Sequence, residues 1–196
     1  MNTYKYGQEL PDEVVNQLDA YIERIKAIKW FKPQDKISKK KIEKQINLIC
    51  KAFGVKASPE FRELKTIQDW KNAWDYTWDA AWDAAWDAVW SAALDDARKA
   101  ARNATWNADW DAAWSTARDV AWSAVWDLAW NSTCDAAQDA ACGAADLLAL
   151  NLPEYKEKYP NGNFINLIEL WEAGLYPVGV VKGKFIIYVP PSVLEQ

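Results

Sequence analysis

One tetrapeptide dominates what this chain can fold into. Tryptophan recurs every fourth residue at Trp70, Trp74, Trp78, Trp82, Trp86 and Trp90, again at Trp106, Trp110 and Trp114, and again at Trp122, Trp126 and Trp130, always in one phase. The commonest unit reads Trp-Asp-Ala-Ala. Four residues on an α-helix advance about 400°, so successive indoles form a ridge that drifts about 40° per unit. About nine units carry that ridge once round the axis, and a single helix over the whole stretch would exceed ~100 Å. Several shorter helices let each tryptophan ridge face one partner. Breaks are expected where tryptophan is missing. Residues 91–105 place Leu94, Arg98 and Arg102 on the ridge, and Thr116/Asp119 and Ser132/Asp135 have capping-box spacing with Asp in place of Glu. The pattern predicts helices near 60–92, 95–114, 117–131 and 133–149.

The aspartate of each unit has a specific use. Residues three apart on a helix are neighbours, and a buried indole N–H, which can only donate, needs an acceptor. Asp75, Asp79, Asp83, Asp87, Asn103, Asn107, Asp111, Asp119, Ser123 and Asp127 each precede a tryptophan by three, whereas Lys71 stands ahead of Trp74. Either each unit carries its own indole acceptor, or these residues simply keep one edge of the helix wet. The two alanines per unit lose no side-chain entropy and let backbones approach closely. A helix with Trp on one ridge and Ala on two others wants partners on more than one side.

Charge is unevenly placed along the 196 residues. Residues 1–69 carry 14 basic and 10 acidic groups, while residues 70–146 carry 5 basic and 13 acidic ones, every acid there being Asp. A basic front and an acidic repeat can attract each other within one fold or between copies. Cys50, Cys134 and Cys142 are odd in number, and the last two lie about 12 Å apart along a helix, too far for a disulfide. Three reduced thiols, no signal-like segment and no uncharged run of bilayer length lead to the expectation of a cytoplasmic protein with no membrane association.

Taken in order, Pro11-Asp12-Glu13 opens a helix whose apolar stripe is Val14, Val15, Leu18, Tyr21, Ile22, Ile25 and Ile28, ended by Trp30-Phe31-Lys32-Pro33. A second helix starts near Ser38 and stops at Gly54. Its lysines, Lys36, Lys39, Lys40, Lys41 and Lys44, fit a solvated face better than a nucleic-acid patch. Ser58-Pro59-Glu60 is expected to cap the helix leading into the repeat. After Gly143 the composition changes: Pro153 bars continuation of the last repeat helix, Phe164, Leu167, Ile168 and Trp171 form a short helical stripe ended by Gly174, and residues 178–189 read as a β-hairpin turning at Lys182-Gly183. The expected organisation is an N-terminal helical segment (1–59), a tetrapeptide-repeat body (60–150) and a C-terminal helix plus hairpin (151–196). The fold class is mainly α, with packed helices built from the repeat and a small β-hairpin.

The Ile-Lys-Trp-Phe-Lys-Pro segment (28–33), the Phe-Gly-Val-Lys-Ala segment (53–57), the repeat and the Gly-Leu-Tyr-Pro-Val-Gly tail (174–190) together resemble a group of uncharacterised bacterial and phage-type proteins. The resemblance spans nearly the whole chain and implies a shared architecture. It brings no activity with it.

Chemistry-bearing motifs are scarce. There is no histidine, no glycine-rich phosphate loop and no zinc-type cysteine pair. The carboxylates form a ladder rather than one special pair, which argues against an enzyme and calls for no cofactor and no metal. The preferred reading is a non-catalytic structural or protein-interaction module with a tryptophan-packed helical repeat core, its partner another protein or another copy of the chain. A second reading is an acidic decoy for a nucleic-acid-processing protein, since Asp groups about 6 Å apart along a helix resemble a strand of phosphates. Direct nucleic-acid binding is not expected. A third, fainter reading rests on Arg98, Arg102 and Arg118, which sit on the tryptophan ridge and could hold an anion or nucleotide by stacking and forked hydrogen bonds. The plain alternative is that these arginines pair with nearby Asp at the surface.

Overall fold

The computed structural model describes residues 9–32, 37–66, 68–69, 99, 108–125, 130–150, 153–160 and 164–196. These residues are mostly helical and carry one small three-stranded sheet. The first 24 of them already show why the N-terminal elements form. Helix α1 (Asp12–Ala27) begins after Pro11, with Asp12 and Glu13 in its first turn and Arg24 and Lys26 in its last, both matched to the helix dipole. Its buried stripe is Val14, Leu18, Tyr21, Ile22 and Ile25. Helix α2 (Lys39–Ala52) buries Ile42, Ile46, Ile49 and Cys50. It ends at Gly54, whose φ of 66° lets the Val55 amide reach the Cys50 carbonyl (2.8 Å) and its own amide reach the Lys51 carbonyl (3.3 Å). That is a Schellman stop, and glycine suits it because the left-handed conformation costs it nothing.

The next element departs from the sequence reading. Residues 58–63, expected to cap and start a helix, form strand β1 (Ser58–Glu63). The capping box comes later: the Asp69 amide donates to Thr66 Oγ1 (3.3 Å), and the Thr66 amide donates back to Asp69 Oδ2 (2.7 Å), at the start of a helical segment. Thr-x-x-Asp thus makes the reciprocal pair usually made with Glu. Local cap signals lost to tertiary pairing at Ser58, because the sheet offered an open edge there.

The repeat contributes helix α3 (Ala108–Val125) and helix α4 (Trp130–Ala149). The break expected between 114 and 117 is absent, so Thr116 and Asp119 lie inside α3, and Ser132 and Asp135 lie inside α4. No Gly or Pro interrupts the run, and one buried row, Ala113, Ala117 and Ala121, continues across the proposed break. Helix α3 packs on α4, which buries Ala136, Ala137, Ala140, Ala141, Ala144, Ala145 and Ala149, while α1 packs on both helices. Among the described side chains of these two helices the buried residues are mostly alanines, whose small side chains let helices come close. Trp114 and Trp122, one position further round, are half-buried and pack against the margin of the core.

Beyond α4 lie a short helix α5 (Pro153–Lys158), helix α6 (Ile165–Glu172), strands β2 (Tyr176–Val181) and β3 (Lys184–Val189), and a last turn α7 (Pro191–Leu194). Helix α6 ends as α2 does, at Gly174 (φ 71°), with the Leu175 amide on the Leu170 carbonyl. The sheet order is β1-β3-β2; β1 runs parallel to β3 and β2 antiparallel to it. Lys182 and Gly183 both have positive φ (50° and 75°), the conformation of a tight hairpin turn. Strand β3 is buried from Phe185 to Val189, as a central strand covered on both faces must be. Pro177 is tolerated because β2 is an edge strand, and a register shift near Gly179 (φ 126°) bends it. Strand β1 brings the front of the chain into the same sheet as its tail, and the buried residues form one cluster from Leu10 to Val193.

Candidate functional site

Among the described residues, the buried acidic side chains lie along α4. Its inward positions continue the repeat phase but not the repeat chemistry. Asp139 stands where each unit has its aspartate, and Cys142 and Asp146 stand where each unit has its tryptophan. Asp139 and Asp146 are buried acids, Asp146 completely so.

Each is matched to a donor from a distant element. Asp139 Oδ2 accepts the indole Nε1–H of Trp171 on α6 at 3.1 Å. Trp171 is itself fully buried and surrounded by rings, with Phe31 at 5.2 Å in an edge-on contact, Tyr176 at 5.4 Å and Trp30 at 5.6 Å. Asp146 accepts the Tyr155 hydroxyl from α5 and the Phe164 backbone N–H, 3.2 Å away, just before α6. Burial pushes the Asp146 carboxyl up to about 7, against the opposing pull of these two hydrogen bonds. Burial and then the neighbouring Asp146 charge hold the Tyr155 phenol well above its ordinary value. The carboxylates thus hold α5 and α6 on α4.

From the other side, Tyr21 of α1 donates its hydroxyl to the Ala140 carbonyl. Burial, then the nearby Cys142 and Asp139, raises its phenol well above the usual range. Gly143 makes room for it: a Cβ there would overlap the Tyr21 hydroxyl and its ring carbon. A helical Gly→Ala change ordinarily gains up to about 1 kcal/mol. Gly143→Ala is expected to lose about 2 kcal/mol instead, because the ring is walled in and overpacking forces it out of place. Urea unfolding measures this, and in a Tyr21→Leu background the same substitution is expected to be neutral or favourable. Arg24, one turn along α1, adds a forked pair to Glu172 of α6, its Nη2 2.7 Å from Oε2.

The residues singled out from the sequence lie elsewhere. Arg118, Asp119 and Ser123 are exposed on α3 and are not brought to this cluster. The Arg118 guanidinium meets Asp119 Oδ1 at 3.1 and 3.2 Å, so the ridge faces solvent there and the arginine is held by its neighbour. Asp119→Ala is expected to shift stability by less than about 0.5 kcal/mol, as for exposed pairs generally, which a thermal melt checks. Arg98, Arg102, Asp75, Asp79, Asp83, Asp87, Asn103, Asn107 and Asp127 lie outside the described residues, as does the side chain of Asp111.

No family model, no curated protein and no solved structure matches this chain.

In the sequence, Tyr21 reads as part of an apolar stripe and Gly143 as a change of composition, and neither they nor Asp139, Asp146 and Tyr155 read as a polar cluster. Two signals were present: Asp146 puts a carboxylate on the tryptophan phase, and Gly143 interrupts an alanine helix that had no reason to contain glycine. Among the described residues no cluster of three or more His, Cys, Asp or Glu is placed to hold a metal ion, and no helix is long and apolar enough to cross a membrane. Chemically, the cluster offers buried acceptors already occupied by the protein's own donors.

Proposed function

We propose that this chain is a non-catalytic structural or protein-interaction module, a helical body in which alanines bring the helices together and inward aspartates fasten them. The observation that carries this reading is the pairing of Asp139 with Trp171 and of Asp146 with Tyr155 and Phe164. Acids that face inward and accept hydrogen bonds from internal donors serve to hold the body together rather than to meet a ligand. The acidic-decoy reading needs the Asp ridges on one continuous exposed face; Asp119 is exposed, but on α4 both Asp139 and Asp146 are buried, which supports the structural reading over the decoy. The anion-site reading draws no support from Arg118, whose fork is directed at Asp119.

The test combines light scattering of the purified chain with a pull-down from the native host, with and without competing duplex DNA. A discrete self-assembly, or a stoichiometric protein partner that DNA does not displace, is the expected outcome. A nucleic-acid-processing partner released by DNA would replace this reading with the decoy.

A further inference from the structure

Among the described residues, strand β1 has a strand neighbour on one side only, β3. The Ser58 amide donates to the Gly183 carbonyl at 3.1 Å, and the Leu64 amide donates to the Val189 carbonyl at 2.8 Å. Backbone groups alternate sides along an extended strand, so positions 58, 60, 62 and 64 face β3. Positions 59, 61 and 63 face outward, with the amides of Phe61 and Glu63 and the carbonyls of all three residues. Such an open row is a template for another strand. We propose that β1 is a self-association edge: two copies of this chain pair antiparallel through β1, round a two-fold axis at Phe61, and join two three-stranded sheets into one.

Charge selects both the partner and the register. The Arg62 fork reaches Glu60 Oε1 at 2.8 and 3.0 Å, so the two charges share one face of the strand. Centring a symmetric pair on Glu60 sets glutamate against glutamate, and centring it on Arg62 sets arginine against arginine. Like charges directly opposite each other destabilise a pair of strands. Centring on Glu63 again opposes two acids, and centring on Pro59 brings together two residues without amides. Only the pair centred on Phe61 sets each Glu60 opposite Arg62 of the second copy, and it does so twice. That register also uses every outward amide. Each Phe61 amide donates to the Phe61 carbonyl of the other copy, and each Glu63 amide donates to the Pro59 carbonyl. Pro59 has no N–H to give, and only its carbonyl is needed. On the other face the Phe61 ring, packed at the margin of the core beside the Lys39 ammonium, comes next to its own copy. The assembly closes at the dimer, because β2, now the outer edge, is blunted by Pro177 and by the register shift at Gly179. The inference rests on the module reading above, whose partner it names as a second copy.

Sedimentation equilibrium of the full-length chain over a concentration series tests it, on the wild type, on Glu60→Arg, on Arg62→Glu and on an equimolar mixture of the two variants. The wild type is expected to pass from the mass of one chain to that of two as concentration rises. Either variant alone sets like charges opposite each other and is expected to weaken the dimer by roughly tenfold or more. The mixture is expected to regain it, because each substituted side chain then faces an opposite charge on the other chain while the repulsion within each chain persists. A wild type that stays monomeric, a dimer that neither substitution weakens, or a mixture that stays monomeric overturns the proposal. A monomer that still captures a host protein removes the edge and leaves the module reading standing. A captured partner that DNA releases removes the module reading, whatever the charge swaps show. Should the variants not fold, hydrogen exchange of the wild type decides. The Phe61 and Glu63 amides are expected to slow with rising concentration while those of Glu60 and Arg62 do not, and rates independent of concentration remove the proposal.

Discussion

Replacing Trp171 by alanine is expected to cost about 4 kcal/mol of unfolding free energy, seen as a lower urea midpoint at unchanged slope. The magnitude has two sources. The indole is fully buried among Phe31, Tyr176 and Trp30, so its removal leaves a cavity where three ring contacts were. It also removes the indole N–H donated to Asp139 Oδ2, and the loss of a hydrogen bond to a buried charged group costs about 1–3 kcal/mol more. Trp171→Phe keeps much of the ring volume and is expected to lose about half as much. Phe31, whose ring meets the same indole, is held at φ 56°, a conformation unfavourable for an aromatic residue. Trp171→Ala is therefore expected to loosen the 30–31 turn too, visible as lost near-ultraviolet dichroism from the ring cluster.

The second large effect is on the pH dependence of stability. Asp146 has a folded-state value of about 7, above the ordinary carboxyl value near 3.9 that it takes in the unfolded chain. Between those two values the native state binds the proton and the unfolded state does not. Stability from this group is therefore fully present below about pH 4, falls as pH rises towards 7, and is flat above that. The whole change is on the order of 4 kcal/mol. Asp69 works in the opposite direction, since backbone hydrogen bonds to Lys65 and Thr66 lower it, but it lies at the surface where solvent screens the effect. Urea unfolding at pH 5 and pH 8 should show the wild-type chain less stable at pH 8. Asp146→Asn should flatten the curve and be the more stable protein at pH 8. A wild-type chain that is steadier at pH 8 than at pH 5 contradicts this assignment.

Much of the periphery was legible because its causes are local. Gly54 and Gly174 each stop a helix by the same left-handed turn, and the stripes of α1, α2 and α6 coincide with the apolar periods of the sequence. What escaped is long-range. Ser58-Pro59-Glu60 has a good local helix cap, but β3 needed a second neighbour, and the parallel pairing of Ser58 with Lys184 decided the conformation. Thr116 looked like a helix start, yet the buried row through Ala117 and Ala121 continues past it. The tryptophans are the loudest feature of the repeat, yet on α3 and α4 the alanines are the residues that are buried. The idea that the aspartate of a repeat unit receives an indole N–H finds a counterpart in Asp139, but its tryptophan stands 32 positions away on another helix and outside the repeat. Period alone identifies neighbours on one helix; it says nothing of which other element brings the donor.

Inward aspartates act as fastenings, and the Asp139–Trp171 pair is where that can be measured in isolation. A double-mutant cycle of Asp139→Ala and Trp171→Phe, read by urea unfolding at pH 7, reports the coupling directly. The predicted coupling is about 1–3 kcal/mol, because either single change breaks the same buried hydrogen bond to a charged group. Two losses that simply add would mean that Asp139 fastens nothing, and would contradict the account.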